Sequence, residues 1–235
     1  MPPRFRVAYP REHVRTPQEW GFKAGTDFWL VASTNGMITA TNAHELVDYG
    51  WVTTALGFST PTGGDFLDSA DPGTPNSILF DASGDLLRCP YLFGDYAHGL
   101  MAQQLLKKAP TKLALEVYAA FTVHSANEPT SGFGFVEAGG TPATAADHQA
   151  FISTNATNFL FASGAASDLG AIDDANFHLF KMVLNKTTSL AEWFIDGVSQ
   201  GSMAIQADLA PYAFGAHVLT TNRLSLAWAH VYYDY

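Results

Sequence analysis

Three aspartates recur at every third position of a glycine-rich stretch, and their side chains could bind a metal. Asp65, Asp68 and Asp71 lie in GGDFLDSADPG. Carboxylate oxygens are the hard donors that Ca²⁺ prefers, so the spacing would suit a calcium site, and no other cofactor is expected. EF-hand loops place donors at every second position, so this is a different pattern. A flexible acidic loop without metal is the favoured interpretation, and the calcium site is the alternative.

Aromatic side chains near polar groups form a second candidate site. A flat ring beside a carboxylate, amide or imidazole suits a sugar, which has an apolar C–H face and polar hydroxyls. We expect the ligand-binding residues to be Trp51, Tyr118, His124 and Tyr233. The other aromatic candidates are Trp193, Trp228 and Tyr232.

Trp228 has a competing interpretation. In RLSLAWAHVYYDY, regular strand alternation places Leu224, Leu226 and Trp228 on one face. The two leucines indicate that this face is the core, so we expect the Trp228 side chain to be buried.

The bulk composition restricts the partners. Hydrophobic residues make up 47% of the 235 residues and charged residues 14%, which is typical of a folded chain with a sizeable core. The net charge of −10 disfavours nucleic acid and anionic membranes, because both need a basic surface. The single cysteine cannot form an internal disulfide.

Most of the chain that must position these sites has the sequence pattern of short β-strands. Runs rich in Val, Ile, Phe, Tyr and Thr alternate with clusters of Gly, Pro, Asn and Asp, and eleven such runs favour two packed antiparallel sheets. Lys112–His124 alternates clearly, with Leu113, Leu115 and Val117 on the apolar face and Glu116 and Tyr118 on the polar one. The expected fold is therefore all-β. At most one or two short helices are expected, and HGLMAQQLLKKA, residues 98–109, is the best candidate.

The first residues differ from the rest. Residues 1–25 contain prolines and arginines but no apolar segment of a signal peptide, and no later run is long enough to span a membrane. We expect residues 1–25 to be an arm that binds other subunits of an assembly, and residues 26–235 to form one domain. The protein is then made in the cytoplasm, or has lost its signal, and is localised to a virion or a cell exterior.

The C-terminal half contains a hairpin pattern. AEWFIDGVSQG, residues 191–201, consists of two extended runs around Asp196 and Gly197, which favour a type I′ turn because both positions require positive φ. FHLFKMVLNKTTSLAEWFIDGVSQGS followed by NRLSLAWAHVYYDY resembles paired strands and the last strand of the concanavalin A-like lectin/glucanase superfamily, which includes laminin-G-like domains. The resemblance covers about residues 112–235 and implies a jelly-roll sandwich.

The resemblance also implies three kinds of function. Its glycan-cleaving members carry two or three carboxylates on alternate residues of one strand; here Glu116 and Glu137 stand on separate strands, and both are weak catalytic candidates that also read as ordinary polar carboxylates. The lyase pattern of that superfamily is absent around Tyr118, His124 and His178. We therefore expect a non-catalytic structural or adhesive protein of a virus-like particle, such as a phage capsid decoration or tail-associated protein, that binds surface glycans. The alternatives are a lectin-like domain and a glycan hydrolase or lyase.

Overall fold

The computed structural model describes residues 27–31, 52–54, 57–59, 77–80, 83–89, 112–123, 131–137, 140–155, 157–164, 166–185, 187–205, 212–218 and 222–234. The proposed arm, the predicted helix at 98–109 and the aspartate loop at 65–71 lie outside these ranges. The division into an arm and one domain stays a prediction.

The described residues form strands and one short 3-10 helix, Ala145–Asp147. The strands are β1 (Asp27–Val31), β2 (Val52–Thr54), β3 (Gly57–Ser59), β4 (Ser77–Phe80), β5 (Leu86–Arg88), β6 (Lys112–Val123), β7 (Gly132–Glu137), β8 (His148–Thr154), β9 (Asn158–Ser163), β10 (Ala166–Ile172), β11 (His178–Asn185), β12 (Leu190–Ile195), β13 (Val198–Ala204), β14 (Tyr212–His217) and β15 (Arg223–Asp234). In these ranges no helix is long and apolar enough to cross a membrane.

The strands form two antiparallel sheets, which confirms the predicted all-β sandwich of the jelly-roll type. The eight-stranded sheet has the order β13-β12-β11-β6-β15-β4-β3, with β1 also paired to β15. The seven-stranded sheet has the order β10-β9-β8-β7-β14-β5-β2. The long strands β6 and β15 lie side by side near the middle of the eight-stranded sheet, so they determine which side chains face the core and which face outward.

Phenylalanines from both sheets fill the space between them. Phe121 of β6 packs against Phe133 of β7 at 5.9 Å between ring centroids, and Phe180 of β11 contacts Phe133 at 5.3 Å with its edge. All three rings are fully buried. Removing each from water contributes roughly 1.5–3 kcal/mol, so this packing fixes the sheets against each other. The predicted apolar face of β6 is confirmed.

A β-bulge in β15 overturns the prediction for Trp228. Leu226 is opposite Ala119, but Trp228 is opposite Tyr118, so Ala227 is an extra residue in the strand. The bulge lies where the other edge of β15 changes its partner from β4 to β1. An extra residue exchanges the two faces of the strand beyond it. Trp228 is therefore half-buried on the outer face, and the core prediction was wrong.

The bulge determines which side chains of β15 face the core and which face outward. The core receives Leu224, Leu226, Ala229 and Val231. The outer face receives Trp228, His230 and Tyr232, each only partly buried.

The hairpin between β12 and β13 has the expected turn. Asp196 and Gly197 have φ angles of 50° and 80°, the positive values that a type I′ turn needs. The Asp196 carboxylate also accepts a hydrogen bond from the backbone N–H of Leu179 at 2.9 Å, which ties the turn to the start of β11.

Candidate functional site

Four polar side chains from three neighbouring strands meet on the outer face of the eight-stranded sheet. Lys181 of β11 is directly opposite Glu116 of β6, which in turn is directly opposite His230 of β15. Tyr232 follows two residues after His230 on the same face. We call these four residues the Glu116 cluster.

Glu116 is the acceptor at the centre of the cluster. The Tyr232 hydroxyl donates to Glu116 Oε1 at 3.0 Å and accepts a hydrogen bond from Lys181 Nζ at 2.9 Å. Lys181 Nζ lies 3.2 Å from the same carboxylate oxygen, and His230 Nδ1 lies 3.9 Å from Oε2. The His230 ring stacks on the Tyr232 ring, with centroids 4.7 Å apart. The cluster is thus held in one geometry before any ligand is present.

These contacts fix the charge states. Interactions with His230, and then with Lys181 and Tyr232, lower the pKa of Glu116 to about 2, although partial burial acts in the opposite direction. Hydrogen bonds to Tyr232 and Glu116 raise the pKa of Lys181. Burial is the main reason that the pKa of Tyr232 is raised. At neutral pH the cluster therefore contains a carboxylate, an ammonium group and a neutral phenol.

Three aromatic rings continue the same face beside the cluster. Tyr118 follows Glu116 by two residues on β6, and its ring centroid lies 6.2 Å from that of Trp228, with the planes inclined by 26°. Phe177, which immediately precedes β11, lies on the other side of Tyr118 at 5.3 Å. We call Phe177, Tyr118 and Trp228 the aromatic row.

Of the predicted ligand-binding residues, the structure places Tyr118 beside the cluster. Tyr233 lies in β15 opposite Leu113, but its side chain is not among those described. Trp51 and His124 lie outside the described residues, as do Asp65, Asp68 and Asp71. Their predicted roles stay predictions.

Trp193 is not available as a sugar-binding residue. Its side chain is fully buried and stacks on Phe161 of the opposite sheet at 5.0 Å between centroids. It belongs to the core.

The two candidate catalytic glutamates are not brought together. Glu116 lies in the eight-stranded sheet, whereas Glu137 ends β7 in the seven-stranded sheet. Glu137 Oε1 accepts a hydrogen bond from Gln149 Nε2 at 2.6 Å. A pair of carboxylates facing one groove, about 5 to 9 Å apart, is therefore not formed by these two residues.

A further sequence pattern has a structural explanation. Residues 197–201, GVSQG, match the G-x-S-x-G pattern of a nucleophile elbow. Such an elbow requires a turn between a strand and a helix, whereas Ser199 lies within β13 of a β-hairpin, opposite Phe194. The geometry of a nucleophilic serine is absent at this position.

Metal binding finds no support within the described ranges. They contain no group of three or more His, Cys, Asp or Glu side chains arranged to hold an ion. The Asp65 to Asp71 loop lies outside those ranges, so its calcium site stays a prediction.

Sequence reasoning missed Lys181, His230 and Phe177 as site residues and misplaced Trp228. Lys181 is 65 positions from Glu116 in the sequence, and only the pairing of β11 with β6 brings the two together. The alternation of β11 between buried Phe180 and outward Lys181 is the one signal that the sequence offered.

Comparison with solved structures finds proteins of the same fold. The chain is similar to a conserved carbohydrate esterase from the Shiga toxin-encoding bacteriophage phi24B, with 12% identity and a TM-score of 0.52, over 88% of this chain and 100% of that one. It is also similar to the carbohydrate recognition domain of Emp47p, with 8% identity and a TM-score of 0.52, over 90% and 96% of the two chains. A mutant Trypanosoma rangeli sialidase with trans-sialidase activity matches at 12% identity and a TM-score of 0.52, over 89% of this chain and 31% of that one.

These likenesses show the fold alone. They agree with the predicted resemblance to concanavalin A-like proteins at the level of a jelly-roll sandwich. No protein-family model matches the chain. No curated protein matches it.

Proposed function

We propose that this chain is a non-catalytic glycan-binding protein, and that its binding site is the Glu116 cluster together with the aromatic row. The observation that carries the proposal is the placement of an ionised, hydrogen-bonded Glu116 beside the stacked rings of Tyr118 and Trp228 on one outer sheet face.

The chemistry of the face matches that of a sugar. Glu116 accepts hydrogen bonds from hydroxyl groups, and Lys181, whose side chain is 37% exposed, donates to hydroxyl oxygens. The half-buried Trp228 ring offers an apolar surface for the C–H face of a pyranose. The shared fold with a carbohydrate esterase and a carbohydrate recognition domain is a supporting analogy, because fold by itself does not decide function.

The same geometry argues against Glu116 as a general acid. A general acid needs a carboxyl pKa raised toward the working pH, whereas that of Glu116 is lowered to about 2. Tyr232 is no better as a nucleophile or base, because its pKa is raised and its hydroxyl already bridges Lys181 and Glu116. The hydrolase or lyase alternative would need carboxylates other than the pair predicted from the sequence.

We also propose in which kind of assembly this binding site acts. A jelly-roll body that binds surface glycans, joined to a proline- and arginine-containing arm at residues 1–25, suits an adhesive or decorating protein of a virus-like particle. Its partners are then other subunits, through the arm, and surface glycans, and its place is a virion or cell exterior. The fold shared with a bacteriophage protein supports this setting.

A glycan array tests the binding function. We expect the full chain to retain glycans, and we expect the affinity to fall roughly tenfold or more for Trp228→Ala and Glu116→Gln, which remove the ring and the charged acceptor.

Lys112→Met and Lys181→Met form a matched pair, because both lysines lie on the eight-stranded sheet but only Lys181 contacts Glu116. Lys181→Met should weaken binding and Lys112→Met should not. An array without hits, or equal binding by all variants, would refute the proposal.

A further inference from the structure

His178 connects two segments that approach the aromatic row from different parts of the chain. Its Nε2 lies 2.8 Å from Asp174 Oδ1 in the loop between β10 and β11, and its Nδ1 lies 2.6 Å from Asp196 Oδ2 in the β12–β13 turn. The His178 side chain is only 17% exposed. Its ring also contacts the rings of Phe159 and Phe180 edge-on.

This geometry requires a charged imidazole. A neutral ring has one N–H donor, so one of the two carboxylates would face a nitrogen lone pair at hydrogen-bond distance. Only the imidazolium donates from both nitrogens, and it satisfies both aspartates. Loss of one proton must therefore break either the hydrogen bond to Asp174 or the one to Asp196.

The loop that His178 anchors carries a ring of the proposed site. Phe177 is the residue before His178, and its ring packs on Tyr118. Within the loop, the carboxylates of Asp173 and Asp174 accept from the N–H groups of Ala175 and Asn176. Because Asp196 is also bonded to the backbone of Leu179, the turn stays attached to β11 without His178. The hydrogen bond between His178 and Asp174 is therefore the contact through which the loop is tied to the turn.

We propose that His178 is a positioning residue of the glycan site: as an imidazolium it holds the Asp174 loop on the Asp196 turn and so keeps Phe177 against Tyr118, which makes ligand binding strongest in mildly acidic solution. This inference rests on the proposed function. It adds a pH-dependent control to a site whose central carboxylate stays ionised over the same range.

The surrounding charges favour the protonated form. Burial lowers the pKa of His178, but the hydrogen bonds and charges of Asp196 and Asp174 outweigh burial and raise the pKa above 6.5. From β9, the Phe159 ring packs against His178. The charge of Asp196 also acts on Tyr118 of β6, whose pKa is raised by burial and then by that charge.

The direction of the pH dependence follows from these shifts. Because the folded-state pKa of His178 is raised, its contribution is complete below 6.5 and disappears as the pH rises through the folded value. Asp174 has a pKa lowered to about 2, chiefly by its hydrogen bond to His178, so the bridge weakens at the acid end only as the pH approaches that value.

NMR of the full chain tests the positioning role without a ligand. Long-range ¹H–¹⁵N spectra should show His178 protonated on both nitrogens at about pH 6, with the signal assigned by its loss in His178→Gln. Contacts between the Phe177 and Tyr118 rings, seen as nuclear Overhauser effects, should weaken as His178 deprotonates.

Asp174→Asn should lower the His178 pKa by roughly one unit. Asp147→Asn, which alters a carboxylate that accepts from Thr141 N at 3.0 Å in another loop, should leave it unchanged.

Binding measurements then separate this inference from the proposed function. A glycan found on the array should bind roughly threefold or more tightly at about pH 6 than above the His178 pKa, and His178→Gln should flatten this profile. Persistent Phe177–Tyr118 contacts after deprotonation, or binding independent of pH, would overturn the positioning role. If the ring contacts titrate as expected but no glycan binds, the glycan assignment fails and the His178 bridge stands.

Discussion

Glu116 shows how one residue acquires its properties from three strands. On β6 alone it is a glutamate between Leu115 and Val117. In the sheet it receives a hydroxyl from β15 and an ammonium group from β11, and its carboxyl becomes a fixed anion. A fixed anion that is only 25% exposed is a selective acceptor for ligand hydroxyls, since it is already oriented before a ligand arrives.

Replacing Glu116 should reveal this network in the stability of the protein. Glu116→Gln removes a charged hydrogen-bond acceptor from Tyr232 and Lys181, and we expect the free energy of unfolding at neutral pH to fall by about 1–2 kcal/mol. Because the folded-state pKa of Glu116 is lowered, the wild-type advantage should be complete above 4.5 and should decline as the pH falls toward about 2. Urea denaturation of both proteins at several pH values measures this difference in unfolding free energy.

Glu192→Gln is the matched control for that experiment. Glu192 of β12 is opposite Val183 and so lies on the same outer face, two strands from Glu116. It should show a smaller loss at neutral pH. A loss equal to that of Glu116→Gln would mean that the effect comes from net charge and not from the cluster.

At the scale of elements, β15 assembles the site through its bulge. If Ala227 were an ordinary paired residue, regular alternation would direct Trp228, His230 and Tyr232 into the core, together with Leu224 and Leu226. The bulge reverses the strand's faces halfway along, so that one end of β15 contributes leucines to the core and the other contributes polar and aromatic side chains to the outer face.

Deleting Ala227 should therefore be tolerated far better than deleting Ala229. Loss of Ala227 removes the extra residue, and the shortened strand alternates regularly with Trp228 and His230 still on the outer face. Loss of Ala229 instead forces Trp228 or His230 toward the core, and we expect it to lower the free energy of unfolding by more than about 3 kcal/mol. Thermal unfolding followed by circular dichroism compares the two, and similar melting temperatures would show that the bulge does not set the faces of β15.

The strands also show what the sequence could and could not reveal. β6 was predicted with the correct faces from Leu113 to Phe121 because its large apolar residues alternate there, although Val123 at its end is exposed. β10, β14 and β5 were not among the predicted runs, since ASDLGAI and YAFGAH are rich in small residues and LLR is short. The bulge at Ala227 leaves no mark in the sequence, because an alanine between Leu226 and Trp228 fits a regular strand equally well.

The candidate site was predictable only in part for the same reason. Glu116 and Tyr118 were recognised because both lie on the polar face of one alternating strand. Lys181 and Phe177 join them through a pairing between strands that are distant in sequence, which no local pattern encodes.

For the whole molecule, the arm and the sandwich should be separable. The described pairings of the eight-stranded sheet begin at Asp27, so deleting residues 1–25 removes none of them. We expect the shortened protein to unfold with nearly the wild-type midpoint but to lose assembly, if the arm joins subunits as proposed. Denaturation and size-exclusion chromatography measure the two properties. Normal assembly of the shortened protein would contradict the particle setting, while leaving glycan binding untouched.

The pairing of β15 with three other strands has a consequence for synthesis on the ribosome. β6 pairs with β15 along nearly its whole length, while β1 and β4 pair with the opposite edge of β15. At ordinary translation rates β6 would wait roughly 5 to 20 seconds for β15 to emerge, and during that time one edge of an apolar twelve-residue strand is unpaired. Nascent chains of this protein should therefore depend on chaperones, and slower translation should lower the soluble yield.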